Sequence, residues 1–279
     1  MFTGLESSLK NYILQFKQIP AFQDNYIWLI ECHDKAWVID PGDCAPVIEV
    51  LEKNQYTLAG ILVTHHHRDH VGGIEGLLDW AQAHAQAKPE VYGPLNESIP
   101  YCSQSLIEGD RLQLNEAISL EVLEVPGHTK GHIAYYLGVS QDQLVPRVFC
   151  GDVLFATGCG RLFEGTAQQM STSLGKLAKL PPQTLICCAH EYTMSNIRFA
   201  LEVDPANINL QNWSKAATQL RQSELPTVPT TLAQELLVNP FLRCDSLGVI
   251  SGVQRYTGQL MSDPVAIFTA LRTWKDGFK

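Results

Sequence analysis

Residues 61–73 read ILVTHHHRDHVGG, an apolar run that turns abruptly into four histidines and an aspartate within six positions. The chain has nine histidines in 279 residues, so nearly half of them fall in this one turn. The apolar run has the length and residue types of a buried strand. In extended backbone His65 and His67, two apart, point to the same side. Asp69 and His70 follow as the chain turns into a helix-like segment over 70–86. Two imidazoles, a carboxylate and a third imidazole are thus brought around a small volume at a strand end, where layered strand–helix proteins commonly build sites. Neutral imidazole and carboxylate are donors for Zn²⁺, Fe²⁺ or Mn²⁺. A solvated polar loop would account for one histidine, not for this spacing. His66 and Arg68 take the intervening positions and are not counted as ligands.

Moving outward, further strands are predicted at 26–32, 36–40, 58–64, 118–125, 132–139, 147–155 and 184–190, with a second helix-like segment at 168–179. Interleaved strands and helices suggest sheets buried between helices. Three of the strands end on polar side chains: His128 just past 118–125, Asp152 at the end of RVFCGD within 147–155, and His190 at the end of 184–190. Each alone would pass for a turn or capping residue. Four strand ends all carrying metal-type donors point instead to a binuclear metal centre.

After Tyr192 strand-like runs nearly vanish, and 194–203, 210–223 and 263–278 have helical spacing. Asp263 suits an N-cap and Pro264 the first helical position. The segment 224–234, ELPTVPTTLAQ, reads as a linker, giving a strand-rich body followed by a helical appendage. Leu5, Leu9, Tyr12, Ile13 and Phe16 are spaced as one face of a short helix.

Composition narrows the function. Twenty Lys+Arg against 29 Asp+Glu give a net charge of −9, which disfavours a nucleic-acid binder needing a basic face. None of the eight cysteines forms a Cys-x-x-Cys pair, and reduced thiols packed as small hydrophobes are expected. No stretch approaches the ~20 apolar residues of a membrane span. The opening residues lack a basic leader and apolar block. A cytoplasmic monomer is the expectation.

The turn THHHRDH at 64–70 resembles the signature of the metallo-β-lactamase superfamily. DNYIWLI (24–30), DPGD (40–43), PGHTKGH (126–132), GDVLFATGCGRLFEGT (151–166), CAHEYT (188–193) and LRTWKDGFK (271–279) are similar to the glyoxalase II, or hydroxyacylglutathione hydrolase, family. The resemblance implies an α+β fold: a four-layer αβ/βα sandwich with a C-terminal helical domain. It divides the chain into an extension at 1–15, a catalytic domain at 16–190 and a substrate-binding domain at 191–279. It implies two divalent metal ions, zinc first and iron or manganese as alternatives. His65, His67 and His128 would hold one, Asp69, His70 and His190 the other, and Asp152 would bridge them. A metal-bridging hydroxide, with no protein nucleophile, would then hydrolyse the thioester of S-D-lactoylglutathione to glutathione and D-lactate, the second step of methylglyoxal detoxification.

For the glutathionyl half the resemblance implies Arg161, Phe163, Tyr192, Arg272 and Lys275. Arg161 stands where the animal pattern has Lys, and Phe163 where a Tyr supplies a hydroxyl, so that hydrogen bond is lost. Arg272 and Lys275, three apart, share a helix face; on the residues alone they would be a solvated basic helix end. His132 and Asp40 are expected to support the ligands through hydrogen bonds, and Cys159 to pack as a small residue. The rival readings are a single-iron glutathione persulfide dioxygenase, a lactone or β-lactam hydrolase, and a non-catalytic metal-binding relative.

Overall fold

The computed structural model describes residues 14–115, 118–139 and 145–278. Nearly all of the extension read at 1–15 lies outside the described residues, as do Leu5, Leu9, Tyr12 and Ile13. Phe16, grouped with them as one helical face, lies in the first strand instead.

The first sheet contains, in spatial order, β1 (Gln15–Ala21), β2 (Asn25–Cys32), β3 (Lys35–Ile39), β4 (Thr57–Leu62), β5 (Glu90–Pro94) and β6 (Gln104–Leu106). β1 to β3 form an antiparallel meander, and from β3 onward neighbours run parallel. Parallel neighbours need crossovers. α1 (Ala45–Asn54) supplies the first, and α2 (Arg68–Val71) with α3 (Ile74–Ala83) the second. The chain then forms β7 (Arg111–Gln113), β8 (Ser119–Glu124), β9 (Ile133–Leu137) and β10 (Arg147–Gly151), the small hairpin β11 (Leu154–Phe155) and β12 (Gly158–Cys159), α4 (Ala167–Leu177) and β13 (Leu185–Cys188). After α5 (Thr193–Val203) and α6 (Ile208–Gln222) come β14 (Thr230–Thr231), α7 (Leu232–Val238), α8 (Leu247–Thr257) and α9 (Pro264–Asp276). The second sheet is ordered β14-β13-β10-β9-β8-β7.

Alternation along β2 shows how the layers stack. Trp28 and Ile30 join Tyr135, Phe149 and Cys187 in a core between the sheets. Ile27 and Leu29 pack outward with Val47, Leu51, Leu77 and Trp80 of α1 and α3. Because both faces are covered, every residue of β2 is buried, and its residues 26–30 read as a continuous apolar run. The far side of the second sheet packs Val148, Cys150 and Ile186 against Met170 and Leu174 of α4 and Phe199, Phe268 and Leu271 of the later helices. The order is helices, sheet, sheet, helices.

Two expectations need correction. Residues 147–155 are not one strand: Gly151 takes φ +47 and the β10–β13 register shifts between Phe149 and Gly151, so β10 ends there and Asp152 is turned out of the sheet. The segment 224–234 is not merely a linker. Its Thr230 and Thr231 pair with Ile186 and Leu185, and Thr231 caps α7 through Gln234 N.

Candidate active site

β9 is antiparallel to both β8 and β10, and β13 is parallel to β10. The C-terminal ends of β8, β10 and β13 therefore share one edge of the second sheet, and they deliver His128, Asp152 and His190 there. The end of β4 delivers His65, His67, Asp69 and His70 from the facing sheet. Donor atoms converge as His65/His67/His128, His65/His70/Asp152 and Asp69/His70/His190.

His65 Nε2 lies 3.1 Å from His67 Nδ1, and His128 Nε2 lies 3.0 Å from the same atom. The second sphere decides what these nitrogens present. His128 Nδ1 is 2.9 Å from the Arg161 carbonyl, which can only accept, so Nδ1 carries the proton and Nε2 a lone pair. The Thr64 hydroxyl donates to Asp40 Oδ2 at 2.7 Å and so accepts from His65 Nδ1 at 3.1 Å. His190 Nδ1 lies 3.0 Å from Asp24 Oδ1, and His70 Nδ1 3.1 Å from Asp40 Oδ2. The His65 and His128 lone pairs thus meet His67 Nδ1 at 3.0–3.1 Å, three imidazole nitrogens around one small volume that suits a cation. Asp152 Oδ2 is 3.4 Å from His128 Nε2, while Oδ1 is 3.3 Å from His190 Nε2 and 3.5 Å from His70 Nε2. Asp69 Oδ2 is 3.4 Å from His190 Nε2. Neither ring nitrogen of buried His70 nor Asp152 Oδ1 has a hydrogen-bond partner among the described residues, and His70 Nδ1 faces Asp40 as an ion pair. This donor set fits divalent cations in two adjoining places, with Asp152 facing both.

The electrostatics agree. Burial, reinforced by His70 and His132, holds His65 well below its ordinary value. For His70 burial acts the same way, but Asp152 and Asp40 outweigh it and raise the ring to about 10. Asp152 and Asp69 likewise raise His190 to about 11. Both carboxylates are held below the usual range despite their burial, Asp152 chiefly by His190 and His70 and Asp69 by His190 and His70. A field that favours a proton on those rings also favours a divalent cation in their place.

Several supporting residues were not singled out individually from the sequence. Asp24 holds His190, and Asn25 Nδ2 donates to Asp69 Oδ2 at 3.0 Å. The motif at 24–30 contained both, but nothing local tied them to a histidine 166 residues away. Glu97 accepts from His66 N at 2.6 Å, Gly131 N at 3.0 Å and the Thr129 hydroxyl, joining the two ligand-bearing loops. His66 Nδ1 lies 2.8 Å from that carboxylate, away from the donor cluster. His132 Nε2 accepts from Asp152 N at 3.2 Å, and Asp40 braces Thr64 and His70.

A cleft of about 470 Å³ runs from His128 and Asp152 past Phe155, Cys159, Arg161, Phe163 and Tyr192 to Arg272 and Lys275, with Ser195, Asn196 and Phe278 also lining it. Tyr192 stacks on His190 with ring centroids 4.6 Å apart, and Phe163 stands edge-on to His67 and His128. The two cations of α9 differ. Arg272 is buried, donating to Cys159 O at 2.9 Å and lying 2.9 Å from Asp276 Oδ1. Lys275 has no carboxylate within 4 Å among the described residues, and burial beside Arg272 lowers its ammonium to about 8.

Metal-type donors at the aligned strand ends of two facing sheets, with helices outside, are the metallo-β-lactamase arrangement. Residues 22–190 match the family model described as metallo-beta-lactamase superfamily, and 191–278 match that of the hydroxyacylglutathione hydrolase C-terminus. A protein named hydroxyacylglutathione hydrolase from Vibrio campbellii is 49% identical over 267 residues, covering 95% of this chain and 100% of its own. The crystal structure of ETHE1 from Myxococcus xanthus is 25% identical with a TM-score of 0.60, covering 94% of this chain and 98% of its own. TTHA1623, solved in a di-iron-bound form, is 25% identical with a TM-score of 0.55, covering 81% of this chain and 98% of its own. The chain belongs to the hydroxyacylglutathione hydrolase family of the metallo-β-lactamase superfamily.

Proposed function

We propose that this protein hydrolyses the thioester of S-(2-hydroxyacyl)glutathione, with S-D-lactoylglutathione the expected substrate and glutathione and D-lactate the products. This is the second step of methylglyoxal detoxification. The observation that carries the reading is one continuous cleft joining the donor cluster at His128 and Asp152 to the Lys275 ammonium, which has no carboxylate within 4 Å among the described residues.

His65, His67 and His128 would hold one divalent ion, Asp69, His70 and His190 a second, and Asp152 both, with zinc ahead of iron or manganese. Such ions supply Lewis acidity for the thioester carbonyl and bring the pKa of water toward neutrality. The chain itself orients and excludes. Asp24, Asp40, Thr64 and the Arg161 carbonyl fix the rings so that their lone pairs face one volume. Phe155 and Tyr192 wall the cleft beside His190 and shed water from it. A thiol is acidic enough to leave as the anion, so no residue need protonate it. Lys275 and Arg161 are the cations available to the carboxylates of glutathione; Arg272 acts through the loop that it binds. Catalysis thus falls to 16–190, while Tyr192 and Lys275 of 191–279 join Arg161 and Phe163 in glutathionyl recognition.

No described helix is long and apolar enough to cross a membrane. The reading takes the protein as a cytoplasmic monomer. Purified protein given S-D-lactoylglutathione is expected to release thiol, to lose that activity on chelation and to carry close to two metals per chain. Two bound metals without thiol release would remove the substrate assignment.

A further inference from the structure

The hairpin β11–β12 stands between Asp152 and the cleft residues Arg161 and Phe163. Its strands pair Leu154 with Cys159 and Phe155 with Gly158, leaving Ala156 and Thr157 as a two-residue turn. Thr157 takes φ +62, a conformation glycine adopts readily and a β-branched residue adopts only under strain. The turn is gripped from outside the catalytic sheets. Glu235 of α7 accepts from Thr157 N at 2.7 Å, from the Thr230 hydroxyl at 2.8 Å and from Asn239 Nδ2 at 3.0 Å. Trp213 Nε1 of α6 donates to Thr157 Oγ1 at 2.9 Å, and Asn196 Nδ2 of α5 to Ala156 O at 3.0 Å. Asn239 Nδ2 also reaches Gly158 O at 2.9 Å.

Every one of these side chains follows residue 191. Glu235 is wholly buried, and among the described residues no Lys or Arg lies within 4 Å of it. A buried carboxyl without a cation is costly, and only its hydrogen bonds from Thr157, Thr230 and Asn239 offset that cost. What the carboxyl does is satisfy the amide of a strained turn whose flanks, Phe155 and Cys159, wall the cleft.

We propose that Glu235 is a positioning residue for the hydrolysis: from the helical region it fixes the β11–β12 turn and so sets the wall of the glutathionyl cleft relative to Asp152. The inference rests on the thioesterase reading. Glu235→Ala removes the acceptor. Glu235→Gln keeps an oxygen for Thr157 N, and its amide can donate to the Thr230 hydroxyl. With S-D-lactoylglutathione, Glu235→Ala is expected to raise KM about tenfold, matching one lost buried hydrogen bond. kcat should fall by less than KM rises, and metal per chain should not change. Segment 154–161 should exchange its amide hydrogens faster. Glu235→Gln should restore KM and protection to near wild type.

A folded Glu235→Ala protein with wild-type KM and wild-type protection would overturn the proposal, as would loss of metal with KM unchanged. Should Glu235→Ala fail to fold, Trp213→Phe removes one contact to the same turn. It is expected to raise KM about twofold, for a bond less buried than Glu235's, and to speed exchange of 154–161; no change in either overturns the proposal. If the wild type turns over no glutathione thioester, the substrate reading falls, and the exchange comparison alone still decides whether Glu235 holds the turn.

Discussion

Asp152 turns one carboxylate oxygen to His128 and the other to His70 and His190, so Asp152→Ala removes a donor from both sets at once. Metal per chain should fall, by elemental analysis, further than for any single-histidine variant, and thiol release with it. Asp24→Ala is the milder change. It leaves every donor in place and frees only the His190 ring, so metal affinity in chelator competition should drop about 10–100-fold. Wild-type affinity would show that Asp24 does not orient the ring. Phe163 is 63% exposed and lines the cleft. Phe163→Tyr should lower KM roughly threefold, for one partly solvated hydrogen bond, with kcat unchanged. That these histidines and aspartates cluster was legible because histidine is scarce and strand ends are easy to place. Asp24, Asn25 and Glu97 were not, because their roles exist only after hairpin and loops from distant sequence meet.

At the scale of elements, β4, β8, β10 and β13 could be read from apolar runs, whereas α1, β5 and the short β6 and β7 carry too little pattern. β11 was hidden inside a run that looked like one strand, and the break is a backbone matter at Gly151. Helix α7 illustrates a different limit: nothing in its sequence marks Glu235 as buried. Burial, against the hydrogen bonds from Thr157, Thr230 and Asn239, raises that carboxyl from 4.5 to about 7. The native state therefore binds a proton that the unfolded chain releases between those values. Stability falls as pH rises through this window and is regained below it. The shift corresponds to about 3 kcal/mol at most. Glu235→Gln, which cannot ionise, should melt higher than wild type at pH 8, by roughly 5–10 °C, with the gap closing toward pH 5. A gap independent of pH would mean that Glu235 does not titrate in this range.

For the whole molecule the question is whether the helices after residue 190 are an appendage, as the loss of strand pattern suggests, or part of the core. The outer face of the second sheet buries Val148, Cys150 and Ile186 in one cluster with Phe199, Val203, Phe268 and Leu271. Thr230 and Thr231 pair with β13, so the helical region also closes that edge of the sheet. Glu191 extends the tie: it accepts from Tyr26 OH at 2.9 Å and from Thr227 N at 2.9 Å, binding the β1–β2 turn that carries Asp24 to the segment before β14. A chain ending at residue 190 would keep all seven residues proposed to hold metal yet expose an apolar face and an unpaired strand edge, both of which promote association. Burying a Phe or Leu side chain contributes about 1.5–3 kcal/mol, so losing Phe199, Phe268 and Leu271 together removes as much as a whole domain commonly has to spare. The truncated chain is expected to aggregate on expression and, refolded with zinc, to show no sharp thermal transition. A monodisperse, cooperatively melting 1–190 protein would instead make the helical region a detachable reader of glutathione, and the grip of α5, α6 and α7 on the β11–β12 turn would be dispensable for the fold.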